Sequence, residues 1–447
     1  MSIETEKGPN YEVKSLSLKG DGLNTMAWAA GRMPVLQLIK ERFESERPFN
    51  GVRIGACLHV TKETSQLCEA WLAGGAEVHL CASNPLSTQD EIAAALVEKG
   101  VHVYAWKYMD NEGYYRAIGH VIRARPHITI DDGADLVGTL HKLKRGESGE
   151  EIDVVKTVIG DETGFLDDVW AGAEETTTGI IRLKAMADDG ALLYPILATN
   201  ESPSKNLFDN VYGTGQSSID GILRSTADLI ASKVFVVAGY GHCGKGVAMR
   251  AKGMGARRVI VTEIEPHAAL QAVMEGMEVM PMHEAAKIAD IIITATGCKD
   301  VIRKEHFEVM KDGVTVSNTG HFNVEINIPV LEGMATKKIR IRPFVDQYTL
   351  KNGHRINLLG EGRLINLAAA EGHPPSVMDL SFALQALATE HIVQNKDQLI
   401  TIGGKVVEIP KDIDNTVARL KCLALDIELE ELTPEQEKYL ASWRVGT

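Results

Sequence analysis

Residues 233–263 constrain the fold of this chain more than any other stretch. The apolar run Val234-Phe-Val-Val237 reads as a buried strand and ends in Gly239-x-Gly241-x-x-Gly244, where a helical pattern begins. Gly239 permits the tight turn, Gly241 lets the backbone approach a pyrophosphate, and Gly244 lets helix and strand pack closely. The start of the helix adds unpaired N–H groups that suit phosphate oxygens. A second apolar run, Arg258-Val-Ile-Val-Thr262, closes on Glu263, 19 residues after Gly244. That offset is near the roughly 20 residues expected of the acid that grips an adenosine ribose. A carboxylate there accepts from a 2′-hydroxyl and repels a 2′-phosphate, so the pattern favours NAD over NADP.

The rest of the chain extends the α/β texture. Residues 1–50 are mostly helical in pattern. Residues 52–60, 76–82, 101–106 and 128–131 read as strands, with helices over 64–72 and 89–98 between them. A fifth strand near 192–199 would complete a parallel, helix-covered sheet. The polar stretch 201–216 reads as a domain boundary and leads into a helix over 217–230. Further strands at 278–282, 291–296 and 314–317 join the sheet begun at Val234. Residues 377–394 form one long amphipathic helix crossing back to the first domain, and Thr433-Pro-Glu-Gln436 has the form of a capping box. The expected fold is α/β: two doubly wound parallel-sheet domains and a small C-terminal segment.

At 447 residues the chain exceeds one comfortable core. Its net charge of −14 argues against a nucleic-acid surface. Six scattered cysteines without a CxxC pair support neither a metal centre nor a disulfide framework, and suit a reducing cytosol. The start of the chain lacks a signal pattern, and no stretch reaches the roughly 18 uninterrupted apolar residues of a membrane span.

Several polar runs fall at strand ends, where open α/β sheets bind ligands. His59-Val-Thr61-Lys-Glu63-Thr64 follows the first strand, and Ser87-Thr88-Gln-Asp90 the second. Ser87 and Thr88 read equally well as helix caps. Asp131, Asp132 and Asp135 put three acids within five residues, a setting in which a carboxylate acts as a tuned general base. Glu174-Glu175-Thr176-Thr177-Thr178 reads as a helix start or a ligand site. Lys205 reads as a solvated lysine or a site lysine, and His321 and His373 as loop histidines or functional ones.

In order, these segments resemble the S-adenosyl-L-homocysteine hydrolase (adenosylhomocysteinase) family over roughly residues 23–439. The matching motifs are His-Val-Thr-Lys-Glu-Thr (59–64), Ser-Thr-Gln-Asp (87–90), Asp-Asp-Gly (131–133) and Glu-Glu-Thr-Thr-Thr-Gly (174–179). Asp-Asn-Val-Tyr-Gly (209–213), Gly-Tyr-Gly-His-Cys-Gly-Lys-Gly (239–246) and Thr-Glu-Ile-Glu-Pro (262–266) follow. Gly-His-Phe-Asn-Val-Glu-Ile (320–326), Glu-Gly-Arg-Leu-Ile-Asn-Leu (361–367) and Gly-His-Pro (372–374) complete the set.

The resemblance implies reversible hydrolysis of S-adenosyl-L-homocysteine to adenosine and L-homocysteine, with a resident NAD. The ribose 3′-hydroxyl is oxidised, the C4′ proton removed, the thiol eliminated, water added at C5′ and the ketone reduced. It implies Lys205 as base for the 3′-hydroxyl with Asp209 holding it, Asp132 as C4′ proton acceptor and Glu175 on the ribose hydroxyls. His59 then serves proton transfer at C5′, and His321 lies near the 3′ and amino-acid end. Thr61, Glu63 and Thr64 belong to the substrate site, Thr61 and Glu63 facing the purine edge, while His373 and Met378 close the pocket. For NAD it implies Thr176, Thr177, Thr178, Asn210, Gly239, Tyr240, Gly241, His242, Cys243, Gly244, Glu263, Thr319, Gly320, His321, Asn366 and His373.

By the same resemblance, residues 1–200, completed by about 374–405, bind substrate; 216–371 bind NAD; and 406–447 serve oligomerisation of a homotetramer. The stretches 200–215 and 371–376 become hinges. Position 214 is Thr, and position 268 is Ala where the family often has asparagine. The chain ends in Arg444-Val-Gly-Thr447 without the Lys- and Tyr-bearing tail of many relatives, similar to the shorter archaeal and thermophilic branch. Some members there resemble hydrolases of S-inosyl-L-homocysteine. Glu63 accepts from adenine N6–H or hypoxanthine N1–H and so leaves both substrates open. A silent NAD-binding relative is a further alternative, against which Lys205, Asp132 and the site histidines all speak, and an ordinary dehydrogenase releasing NADH is another, against which the resemblance implies a hydride that returns within each cycle.

Overall fold

A strand that is apolar on both faces needs helices on both sides of its sheet, and two sheets of this kind form. The computed structural model describes residues 4–444. In chain order the first sheet takes β1 (Glu6–Gly8), β2 (Tyr11–Val13), β3 (Arg53–Leu58), β4 (Glu77–Ala82), β5 (His102–Ala105), β6 (Ile128–Asp131), β7 (Ala171–Glu174) and β8 (Ile196–Ala198). The second takes β9 (Val234–Ala238), β10 (Arg258–Thr262), β11 (Glu278–Val279), β12 (Ile291–Thr294), β13 (Val314–Asn318), β14 (Ala335–Arg342), β15 (Val345–Leu350) and β16 (Arg355–Leu359). β17 (Val406–Glu408) returns to the edge of the first sheet beside β8.

The first sheet runs β1-β2-β5-β4-β3-β6-β7-β8-β17 and the second β11-β10-β9-β12-β13-β16-β15-β14. Both are parallel apart from the β1–β2 pair and the antiparallel β14–β16 meander. Strand order reverses between β3 and β6 in one sheet and between β9 and β12 in the other. At such switch points the flanking connections leave in opposite directions and open a crevice beyond the carboxyl ends of the strands.

Alternation along the central strands explains their burial. Phe235, Val237, Val261 and Ile293 face one core, whereas Val236, Ile260, Ile292 and Val316 face the other. The first sheet has its own core, to which the helix Pro375–Gln394 contributes Phe382, Leu384 and Ala386. No helix of the described residues is long and apolar enough to cross a membrane. The capping box at Thr433 and Gln436 is formed.

Four expectations are corrected. The first sheet has nine strands, not five: β7 lies between β6 and β8, and a hairpin and β17 extend the edges. β7 reads Ala-Gly-Ala-Glu and lacks branched residues because a Cβ at Gly172 would meet Thr129 Oγ1 at 2.4 Å. The strand expected over 278–282 is only Glu278–Val279, since Met282 already begins a helix. The boundary placed at 406 falls inside the first sheet, at β17.

The fourth correction concerns 201–216, read as a polar connection leading into a helix at 217, which is itself largely helical. Pro203–Lys205 leads into a π-helical stretch, Asn206–Gly213, and then into the helix Thr214–Thr226. Its polar residues are polar because they face a site, as wide π turns often do. Backbone contact seats this segment on the glycine-rich helix His242–Gly253: a Cβ at Gly246 would lie 1.9 Å from the Val211 carbonyl oxygen. Gly246→Ala is therefore expected to destabilise the protein by about 1–3 kcal/mol, as overpacking against fixed backbone does. A thermal midpoint equal to that of the unmutated protein would contradict the contact.

Candidate active site

Three of the site's side chains stand one residue beyond a strand of the first sheet. His59 follows β3, Asp132 follows β6 and Glu175 follows β7. From the second sheet, Gly239 follows β9 and His321 stands three residues beyond β13. The two switch points face each other across a cavity of ≈ 1100 Å³.

One wall carries a carboxylate between two imidazoles. Asp132 Oδ2 is 3.4 Å from His59 Nε2, and Asp132 Oδ1 is 3.4 Å from His321 Nδ1. His321 comes from the other sheet and passes over Gly133, where φ is +101° and a Cβ would lie 2.2 Å from the ring. Burial alone would raise the Asp132 carboxyl, but His59, His321 and Lys205 hold it below its ordinary value. Burial lowers His59 to about 4 despite Asp132, so the ring is neutral at pH 7. His59 Nδ1 lies 2.8 Å from Ser87 Oγ. A hydroxyl can donate or accept, so it serves either tautomer and lets Nε2 exchange a proton. Ser87 and Thr88 are thus not caps: Gln89 occupies the N-cap of the helix Asp90–Glu98.

The opposite wall is built around a buried ammonium. Lys205 Nζ donates to Asn210 Oδ1 at 2.7 Å, and lies 3.3 Å from Asp209 and 3.6 Å from Glu175. Asn210 donates on to Asn200, and Asn200 to Thr177, so a polar chain joins the π-helical turn to the start of the helix Thr177–Asp188. Burial disfavours the charge on Lys205, yet Asp209 and Glu175 outweigh it and raise its pKa. Asp209 is held low against burial by Lys205, by His373 at 2.6 Å and by Ser381. Burial lifts Glu175 to about 8, with Gln385 as a side-chain donor.

The residues expected at the substrate's purine edge are placed nearby. Thr61 caps the helix Lys62–Ala73, Thr64 Oγ1 donates to the His59 carbonyl at 2.5 Å, and the buried Glu63 lies 3.1 Å from Lys62 Nζ. Burial raises Glu63. Met378 and His373 line the cavity from the start of the long helix and the turn before it.

The glycine turn fits a dinucleotide. Space beyond Gly241 is open, since a Cβ there would meet nothing within 4 Å, whereas one at Gly244 would strike the Gly239 carbonyl oxygen at 2.0 Å. Glu263 accepts the backbone N–H of Tyr240, Ile264 and Glu265, which fixes it at the far end of the cavity. His242, Cys243, Thr176, Thr178, Gly320 and Asn366 line the same space. Asn366 Oδ1 and His321 Nε2 are buried without a protein hydrogen-bond partner and remain available to a ligand. Thr319 also lines it but spends its hydroxyl on Ser218 at 2.7 Å.

Two expected cofactor residues stand elsewhere. Tyr240 turns its ring into the core of the second sheet, on the face of Phe235 and Val237, and donates to Glu275; the left-handed Gly239 (φ +97°) just before it breaks the strand's alternation. Gly244 lies behind the turn and contributes only close packing.

Sequence reasoning passed over Glu174. This fully buried carboxylate accepts Gly133 N–H at 2.8 Å, Ala134 N–H at 3.1 Å and Thr176 N–H at 3.0 Å. It ties the loop bearing Asp132 to the loop bearing Glu175. Ser381, Gln385 and Asn200 were equally silent in sequence, because nothing local marks a helix face as pointing into a site.

A profile of the family described as S-adenosyl-L-homocysteine hydrolase, NAD binding domain, matches residues 210–372. The adenosylhomocysteinase of Pyrobaculum aerophilum is 54% identical over 441 residues, covering 98% of this chain and 100% of the relative. That of Aquifex aeolicus is 55% identical over 438 residues with the same coverage. The S-inosyl-L-homocysteine hydrolase of Methanocaldococcus jannaschii is 51% identical over 437 residues, again covering 98% and 100%.

Replacing Glu174 by Gln puts an N–H where an acceptor is required. Turnover is expected to fall at least about tenfold, since sub-ångström misplacement of catalytic loops is costly. Unchanged kcat would rule out the clamp.

Proposed function

The chain belongs to the S-adenosyl-L-homocysteine hydrolase family, and on that premise we propose how its own residues carry the reaction. It is an NAD-dependent enzyme that interconverts S-adenosyl-L-homocysteine with adenosine and L-homocysteine. The observation that supports this reading best is the pairing, across one cavity, of a histidine-flanked carboxylate with a carboxylate-flanked lysine.

A thioether on an unactivated carbon does not leave readily. The chemistry that bound NAD+ would supply is a reversible hydride acceptor for ribose C3′, and a ketone there would make the neighbouring C4′ hydrogen acidic. The glycine turn, the Thr176–Thr178 hydroxyls, Asn210, Glu263 and Asn366 would hold that cofactor. Glu175 and Asp209 face the ribose hydroxyls, and Lys205 takes the 3′-hydroxyl proton once its own has passed to Glu175, whose carboxyl burial lifts to about 8, rather than to Asp209, which is held low. Asp132 is ionised and removes the C4′ proton, with His321 steadying its charge. His59, neutral with a free choice of tautomer, protonates the departing sulfur and then takes a proton from the entering water. Met378, Phe382 and His373 exclude bulk water from the ketone stage.

The first sheet and the long helix form the substrate unit, and the second sheet forms the cofactor unit. Six free cysteines suit a cytoplasmic setting. Exposed Leu423, Leu425, Ile427, Leu429 and Leu432 support a homotetramer through the C-terminal segment. Sedimentation at a monomer's mass would dispose of that assembly.

Purified protein is expected to carry NAD and to release thiol from S-adenosyl-L-homocysteine faster than from S-inosyl-L-homocysteine at equal concentration. A higher kcat/KM on the inosyl compound would reverse the assignment of the base. Lys205→Ala is expected to slow adenosine 3′-oxidation by on the order of 10²–10⁴, as loss of a general base does. Undiminished oxidation would remove Lys205 from that role.

A further inference from the structure

Among the described residues, one cluster of metal-capable side chains lies outside the cavity: Glu77 and His79 on β4, with His102 on β5. The parallel register assembles it. Residues two apart on a strand share a face, and His102 is the direct partner of His79 across the ladder. The two rings stand 4.2 Å apart between centroids, and His79 Nε2 is 2.8 Å from Glu77 Oε1. One ligand atom from each of the three residues lies within 4.8 Å of the others.

Glu77 and His102 are the first residues of their strands. The cluster therefore occupies the amino ends of the sheet, opposite the edge that carries His59 and Asp132.

His79 is 6% exposed, and its Nδ1 has no hydrogen-bond partner. The nearby Arg53 is committed through Nε to the Arg125 carbonyl oxygen at 2.9 Å. Glu77 is exposed and His102 half-buried, so both can swing by the small amount that metal coordination asks. Ligand atoms in a tetrahedral zinc site lie about 3.4 Å apart, given bonds of about 2.0–2.1 Å.

We propose that Glu77, His79 and His102 form a divalent transition-metal site of the zinc class that clips β4 to β5 at the edge remote from catalysis. Two imidazoles and one carboxylate suit zinc-like ions, whereas calcium and magnesium demand mostly oxygen ligands. The solvent side of Glu77 leaves the fourth position to water. An ion bound only by the folded state adds stability by mass action, so the site acts as a staple.

The test uses the full-length NAD-containing protein, stripped by chelator and dialysed, then titrated with Zn2+ by calorimetry and with Co2+ by visible absorption. One ion per chain at this cluster, tetrahedral Co2+ bands and a Zn2+-dependent rise in Tm are expected. His102→Ala should lose that ion and the rise in Tm while still releasing thiol at the unmutated rate. Glu77→Gln, an exposed change that cannot impair folding much, should weaken the site at least about tenfold. His59, Asp132 and His321 form the other such trio, so His321→Ala serves as the control and should retain the ion. The proposal is overturned if the unmutated protein binds no ion. It is equally overturned if His102→Ala binds as well as the unmutated protein, or if His321→Ala alone loses the ion.

Discussion

A lysine ammonium sealed between two sheets is the constraint on which the site depends. A buried charge survives only when opposite charge and hydrogen bonds replace the water it has lost, and removing one partner of such a pair costs about 3–5 kcal/mol. Lys205 has both replacements in Asp209, Glu175 and Asn210. Those partners come from a π-helical turn and a strand end, and are fixed in turn by Ser381 and Gln385 from the long helix and Asn200 from the turn after β8. The long helix that crosses back from the second sheet is therefore as much part of the site as the strand ends.

Glycine solves the problem of bringing two sheets to one cavity. Gly133 lets His321 of one unit lie against Asp132 of the other, and Gly246 lets the π-helical turn rest on backbone. Neither contact tolerates a side chain. The result is that side chains carried by both sheets line one cavity.

Much of this was legible in the chain. The central strands announce themselves by branched apolar runs, and the glycine turn by spacing, because both depend on residues close in sequence. The weak strand β7, the β14–β16 meander and β17 were not legible, since small or alternating residues in them are chosen by neighbours far along the chain. The same holds within the site. Asp132 and Glu175 stand beside recognisable strand ends, whereas Glu174 is indistinguishable from its neighbour until the backbone N–H groups of two loops are seen to converge on it. Tyr240 shows the opposite failure: it sits inside the glycine motif, yet the turn at Gly239 carries its ring into the core.

By itself the sequence determined the two α/β units, the dinucleotide turn and the order of the motifs that mark the family. These follow from local propensity, hydrophobic period and spacing. Only the tertiary structure decided which acids are charged, which lysine is buried, which glycines are contacts and which histidines become neighbours. Strand order sets Asp132 beside His59, and register sets His79 beside His102, although each pair is distant or unremarkable in the chain. Protonation and ligation depend on what packs around a group, and packing is fixed by the whole fold rather than by the neighbours a residue has in sequence.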